Sequence, residues 1–432
     1  MRSPVSFWAL LTILSFSLLV ASSPTPIRRR IGSFKVNRVR RGEEILDGTA
    51  ALTRAYAKYG IIPSEANLDN LDIDFIPGTT AAAARLGVSK AAEEKNGDVP
   101  SSPTHNDIQF LSPVTIGGQR FVMNFDTGSA DTWVFNTELD SSSTGVHTLF
   151  DPKKSMSYSK FNGVTFNITY GDGSYASGDV AIDAVDIGGV VVEKQAFGVP
   201  NKVADSFLQD SASDGLVGLA FTKLSTMKPK PQPSFFENIG PDLDEPVLTA
   251  QLKHGEVGSY EFGLIDKKKF RNELVKVPVD SSRGFWEIES NLYAVKDTTT
   301  IKKVENGTET AIVDTGTTLM LVNSEVVQAY YKEVEGASYS GRAGGYVYPC
   351  DTTLPDLFVS VGEAHFARIP GYQATFAVAG TDRSTGAKIC FGGIQSNHGS
   401  GIQVYGDFFF KAVFVVFDLR GPMLHLGTHA DA

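Results

Sequence analysis

The sequence predicts an all-β protein of two related lobes, and three observations carry that prediction. The 432 residues include 42 Gly, 28 Phe and 14 Tyr, a balance that suits turn-rich strands better than a helical bundle. Short apolar or alternating runs recur at residues 114–116, 121–125, 164–170, 180–187, 190–197, 260–264, 275–277 and 413–417, broken by Gly, Asp and Asn. One small motif occurs twice, at Asp126 and at Asp314, which points to a duplicated unit. With 42% hydrophobic and 20% charged residues the chain has apolar mass for a large core, and its length fits two domains.

Taken in order, the chain opens on a segment unlike the rest. Arg2, an apolar run at residues 7–21 and the small residues Ala21, Ser22 and Ser23 have the charged, apolar and cleavable parts of a secretory signal, so residues 1–22 are read as a signal peptide. A membrane anchor is the competing reading, disfavoured because the run is short for a bilayer and is interrupted by Thr12, Ser15 and Ser17. Residues 23–95 read as a propeptide, with Arg28, Arg29, Arg30, Lys35, Arg38, Arg40 and Arg41 followed by a helix-prone stretch at 49–59. A disordered basic tail is the alternative on composition alone. Residues 1–95 hold 13 Lys+Arg against 9 Asp+Glu, and subtraction from the totals of 39 and 49 leaves 26 against 40 for residues 96–432. A mildly basic head therefore precedes a strongly acidic body. The net charge of −10 argues against nucleic acid as a partner, because neutralising phosphates needs clustered Lys and Arg.

Residues 78–107, rich in Ala, Gly, Ser and Pro, form a linker open to processing. Strand signals dominate from Ile108 onward, and the best helical signal is at 324–335. The apolar run 408–417 contains Lys411 and reads as a buried strand, and the polar end at 427–432 lacks the hydrophobic tail of a lipid-anchor signal. Two cysteines are too few for a cysteine-built metal site. In a secreted chain Cys350 and Cys390 are expected to pair, closing a loop of about 40 residues worth ~4 kcal/mol in the chain-entropy account, with two free buried thiols as the alternative.

The repeated motif is the strongest signal. Phe125-Asp126-Thr127-Gly128-Ser129 and Val313-Asp314-Thr315-Gly316-Thr317 each set Asp-Thr-Gly directly after an apolar strand. One such triplet would be an ordinary turn. A second pairing changes that: Leu216-Val217-Gly218 and Val404-Tyr405-Gly406 each place a glycine 92 residues after its aspartate (218 minus 126, 406 minus 314). Equal spacing implies two related lobes, assigned to residues 96–285 and 286–432.

With Val114-Thr115-Ile116-Gly117-Gly118, Tyr170-Gly171-Asp172-Gly173-Ser174, residues 214–221, residues 311–319 and Tyr405-Gly406-Asp407, these motifs resemble the pepsin family of aspartic proteases. The resemblance is greatest to its fungal secreted members of the penicillopepsin and aspergillopepsin type, and it runs from about Ser102 to Gly427. It implies a bilobal all-β fold with a cleft between the lobes, Asp126 and Asp314 as catalytic residues, and no cofactor or metal. Two carboxyl groups facing each other supply what peptide hydrolysis needs, a base to activate one water and an acid to protonate the leaving amine. At close range they share one proton rather than both ionise.

The resemblance also assigns supporting roles. Gly128 and Gly316 admit backbone N–H groups to the carboxylates, Ser129 and Thr317 bond their outer oxygens, and Thr127 and Thr315 complete each triplet. Tyr170 is implied as the flap tyrosine with Gly171 beside it and Trp133 as its hydrogen-bonding partner; ordinary core packing is the bland reading of each aromatic. Asp172 at the flap tip would pair with a substrate Lys in the primary pocket, unless it is simply a turn former. Phe207 and Leu216 resemble apolar pocket walls, so the preference expected is for large hydrophobic residues and Lys. Ala55-Tyr56-Ala57-Lys58-Tyr59-Gly60 resembles the family's inhibitory segment, with Lys58 between the aspartates at neutral pH. The partners implied are protein or peptide substrates and the chain's own propeptide, acting on a monomer without a membrane anchor.

Asn167-Ile168-Thr169 and Asn306-Gly307-Thr308 are glycosylation sequons. Departures from the animal pattern are the absence of Cys at 138–147, Asn124, and Tyr405 beneath the second motif, expected to tune packing or a pocket. A catalytically silent pepsin-like binding protein and a vacuolar rather than secreted protease are the alternatives.

Overall fold

The computed structural model describes residues 31–40, 47–63, 73–75, 110–169, 175–204, 207–208, 213–253, 258–363 and 365–430. Strands dominate, arranged in sheets of eight, six, five, five and four strands, with few helices among the described residues. This is the all-β bilobal architecture expected from the sequence. The eight-stranded sheet belongs to the first half of the chain, apart from the short head strand Val39–Arg40 at its edge. Three sheets carry the second half. The six-stranded sheet joins the two, since Ser259–Phe262 and Val247–Gln251 pair onward to the carboxy-terminal strands Val413–Asp418 and Met423–His429.

Both aspartates end a strand in the same way. Gln119–Asp126 lies parallel to Gly215–Gly218, with Val217 opposite Phe125 and Gly218 opposite Asp126. Thr310–Val313 lies parallel to Gln403–Tyr405, with Tyr405 opposite Val313, and the Asp314 N–H donates to the Tyr405 carbonyl at 3.0 Å. The glycines 92 residues on have a steric reason. A Cβ at Gly218 would stand 2.6 Å from the Asp131 nitrogen, and one at Gly406 would collide with the Thr317 and Leu319 carbonyls. Only glycine lets the loop leaving each aspartate cross the adjacent strand.

The main hydrophobic core runs through both halves and takes in the head, from Val36, Leu52 and Tyr56 to Phe125, Trp286, Phe410 and Phe417. A second cluster around Trp133, Phe135, Phe166 and Val180 fills the first half. Besides Val39–Arg40, three further segments hold the head. Phe34–Asn37 extends the six-stranded sheet beside Ser259–Phe262, with Phe34 stacked on Phe262 at 4.7 Å between ring centres. The helix Gly48–Tyr59 and the strand Ile73–Phe75 both pack on the second half. Asp47 caps the helix by accepting from the Ala50 N–H at 3.0 Å, and Gly60 stops it in the left-handed conformation. Ala51, Leu52, Ala55 and Tyr56 form its buried face, and Leu52 and Tyr56 each contribute about 1.5–3 kcal/mol by leaving water.

Most of the expected strands appear with longer bounds, the one expected at 260–264 is the shorter Ser259–Phe262, the one expected at 164–170 is described as far as Thr169, and the expected helix at 324–335 is Ser324–Tyr331. One reading is corrected. Residues 408–417 are not a single strand: Asp407–Ala412 is a helix and only Val413–Asp418 is a strand. Phe408, Phe409, Phe410 and Lys411 are all buried, so the run has no polar face whose period separates helix from strand. Cys350 and Cys390 form a disulfide, so the free-thiol alternative falls away. Tyr405 is a packed core residue, stacked on Phe409 and hydrogen-bonded through its hydroxyl to Ser290 Oγ at 2.5 Å.

Candidate active site

Two aspartate-bearing turns meet face to face at the end of their parallel strands. The threonines lock them together: Thr127 Oγ1 donates to the Val313 carbonyl at 2.9 Å and accepts from the Thr315 N–H at 3.0 Å, while Thr315 Oγ1 donates to the Phe125 carbonyl at 2.7 Å and accepts from the Thr127 N–H at 3.2 Å. Each turn thus satisfies the polar groups of the other. Within each turn the glycine N–H donates to its own aspartate, Gly128 to Asp126 Oδ1 at 2.8 Å and Gly316 to Asp314 Oδ1 at 2.9 Å. Ser129 Oγ donates to Asp126 Oδ2 at 2.5 Å, and Thr317 Oγ1 donates to Asp314 Oδ2. A side chain at Gly128 would put its Cβ 2.6 Å from the Asp314 carboxylate, and one at Gly316 would strike Asp126. The glycines therefore set how closely the carboxylates approach.

Both aspartates are fully buried. Lys58 Nζ sits between them, 2.6 Å from Asp126 Oδ1 and 2.9 Å from Asp314 Oδ2. Tyr59 donates its hydroxyl to Asp314 Oδ2 at 2.8 Å and leans on Phe285. Burial raises the Asp126 carboxyl above its ordinary value; the Lys58 ammonium opposes the rise and the charge of Asp314 adds to it. Burial acts in the same sense on Asp314, but Lys58 and the hydrogen bonds it receives from Asp126, Thr317 and Lys58 outweigh it and hold that carboxyl low. The two aspartates are linked through these bonds, so one proton belongs to the pair. Burial works against the Lys58 ammonium, yet the two carboxylates overcome it and raise the group further above its ordinary value. Burial and the charge of Asp314 push the Tyr59 phenol well up, so it stays a donor.

Of the other residues singled out in the sequence, Trp133 is buried beside Phe207, rings 5.3 Å apart and edge to face, and Phe207 and Leu216 pack on that cluster half-buried. Trp133 Nε1 has no hydrogen-bond partner among the described residues. Tyr170, Gly171 and Asp172 lie outside the described residues, as do residues 1–22 and the linker at 78–107. Asn167 and Asn306 are exposed, and Thr169 Oγ1 donates to Asn167 Oδ1 at 3.0 Å. Three contacts escaped the sequence reading. Tyr56 donates its hydroxyl to the Ser396 carbonyl at 2.8 Å and meets His398 edge-on, and Phe285 backs Tyr59. The signal for Tyr56 was its place four residues after Leu52 in an alanine-rich helix, which puts both on one face.

A buried carboxylate pair braced by glycine N–H groups and hydroxyls is the constellation of a two-carboxylate hydrolase. The eukaryotic aspartyl protease family matches this chain over residues 109–429. An aspartic protease of Coccidioides posadasii is 53% identical over 419 residues, covering 97% of this chain and 94% of that protein. Penicillopepsin-1 of Penicillium rubens is 40% identical across 96% of this chain and 97% of its own length. Aspergillopepsin-1 of Aspergillus flavus is 41% identical across 97% of each. The chain belongs to the eukaryotic aspartyl protease family and is an aspartic endopeptidase of the fungal, pepsin-like kind.

Proposed function

We propose that this endopeptidase is made as a secreted, latent precursor whose residues 23–95 block the cleft, and that it cleaves peptide bonds at acid pH after their removal. The observation that supports latency is the place of Lys58: its ammonium occupies the gap between Asp126 and Asp314 that a scissile carbonyl and an attacking water have to enter. With the cleft open, the ionised carboxylate of the pair takes a proton from water as the oxygen attacks the carbonyl carbon. Its protonated partner gives its proton to the carbonyl oxygen. The tetrahedral intermediate collapses as the C–N bond breaks and the nitrogen leaves with a proton from the pair. Thr127, Gly128, Ser129, Thr315, Gly316 and Thr317 keep the carboxylates oriented through this cycle.

Phe207 and Leu216 act as apolar walls for a large hydrophobic side chain before the scissile bond, and Asp172, with Tyr170 and Gly171 on the flap, accepts Lys there. Replacing Asp172 by Ser is expected to lower cleavage after Lys relative to cleavage after Phe; an unchanged ratio removes Asp172 from this role. Asn167 and Asn306 carry glycans in the secreted monomer, and residues 96–285 and 286–432 make its two lobes. No helix among the described residues is long and apolar enough to cross a membrane.

The deciding experiment follows purified precursor by mass and by hydrolysis of a peptide, in acid and at neutral pH, alongside its Asp126→Asn form. Conversion in acid by the wild type alone supports latency and self-processing. Full activity of the intact precursor at neutral pH, or equal processing of Asp126→Asn, would falsify it.

A further inference from the structure

The head makes a contact far along the chain from the dyad that blocking the cleft does not require. Ile73–Phe75 is the edge strand of a five-stranded sheet, antiparallel to Thr375–Asp382, with Phe75 opposite Gly380, Asp74 opposite Thr381 and Ile73 opposite Asp382. Each of the three side chains is received differently. Ile73 is buried against the sheet at 2% exposure, Asp74 accepts from Arg383 Nη2 at 3.3 Å, and the Arg342 guanidinium lies 4.9 Å from the centre of the Phe75 ring. Gly380 keeps the track clear: a Cβ there would stand 2.5 Å from the Asp74 carbonyl oxygen and 2.9 Å from the Phe75 Cα. The edge is therefore shaped for an extended apolar–acidic–aromatic segment.

Residues 73–75 fall within the segment proposed for removal, and a docking role for the edge they cover rests on that reading of the head as a propeptide. Their departure uncovers the Gly380–Asp382 end of this edge, beside Arg342 and Arg383. An open edge pairs readily with an extended chain. We propose that this edge of the processed enzyme is a docking site, remote from the dyad, that captures extended protein substrates carrying an apolar–acidic–aromatic segment by strand addition. Removal of residues 23–95 in one piece leaves residues 59 and 73 still joined, so the edge opens to substrates once the head has been digested or diluted away; the Asp74–Arg383 pair, exposed at both ends at 71% and 58%, adds little to its hold. A substrate held in the cleft then supplies the tether. Tyr59 at the dyad and Ile73 at the edge are 14 residues apart in the chain (73 minus 59), so a linker of that length joins the two sites.

The test uses processed enzyme whose amino terminus has been sequenced. Three peptides share one cleavable core: untagged, tagged through a Gly/Ser linker as long as residues 60–72 with Ile-Asp-Phe, and tagged with Gly-Ser-Gly, with tags placed at either end in separate peptides. The expected result is about tenfold lower KM and unchanged kcat for an Ile-Asp-Phe peptide. Gly380→Ala and, separately, Arg342→Ala abolish that advantage while leaving the untagged peptide unaffected. Equal kinetics for the two tags, in enzyme that starts beyond Phe75, overturns the docking site alone. An amino terminus that retains residues 73–75 overturns it together with the propeptide reading.

Discussion

Asp314 and Thr127 illustrate two kinds of residue that a dyad needs, and they separate on substitution. Asp314→Asn keeps the shape and the glycine and threonine bonds but removes a titrating group, so kcat falls by about 10²–10⁴ while thermal stability holds. Thr127→Val removes a hydroxyl that serves two partners, leaving the Val313 carbonyl and the Thr315 N–H unsatisfied in a buried place, at about 1–3 kcal/mol. Activity and thermal melts on the two variants check this: a stable Thr127→Val protein would show that the cross-brace is not what joins the turns. The aspartates were legible from the duplicated triplet, and the glycine and hydroxyl roles from the resemblance to the pepsin family. The cross-brace was not, since Thr127 and Thr315 are 188 residues apart and nothing local in either turn reports the other.

At the scale of elements, local chemistry and tertiary context divide the credit. The helix Gly48–Tyr59 was readable as the helix-prone stretch at 49–59, and its cap adds a handle on latency. Asp47→Ala is expected to cost about 1 kcal/mol of helix stability and so to speed conversion of the precursor about fivefold at fixed pH, measured as a first-order rate. An unchanged rate would mean that the helix does not unwind or lift as a unit before cleavage. The helix Asp407–Ala412 was misread because all-round burial erases periodicity. The register that sets Gly218 and Gly406 beside the aspartate strands was half legible: the spacing of 92 announced a repeat, whereas the steric need for glycine appears only once the loops cross.

Across the whole molecule, the acidic body and basic head meet at Lys58, and the pH at which they part depends on the sign of each shift. Asp314 is held below its ordinary 3.8 in the closed form despite burial, chiefly by Lys58. Measured against an open cleft titrating near that value, its contribution to closure is complete above 3.8 and is lost as pH falls through the lowered value. Asp126 shifts the other way, raised above 3.8 by burial, so its protonation favours closure and cannot drive opening. Lys58, raised above 10.5, stays charged throughout the acid range and contributes no pH dependence there. Conversion should therefore be slow from neutrality down to about the ordinary carboxyl value and accelerate below it, with no rate maximum in between. Lys58→Met removes the group that depresses Asp314 and leaves burial to raise both carboxyls, so the precursor should open at neutral pH and lose its acid threshold. First-order conversion rates across the acid range, for both proteins, decide the matter: a threshold that survives in Lys58→Met would move the acid trigger away from the dyad.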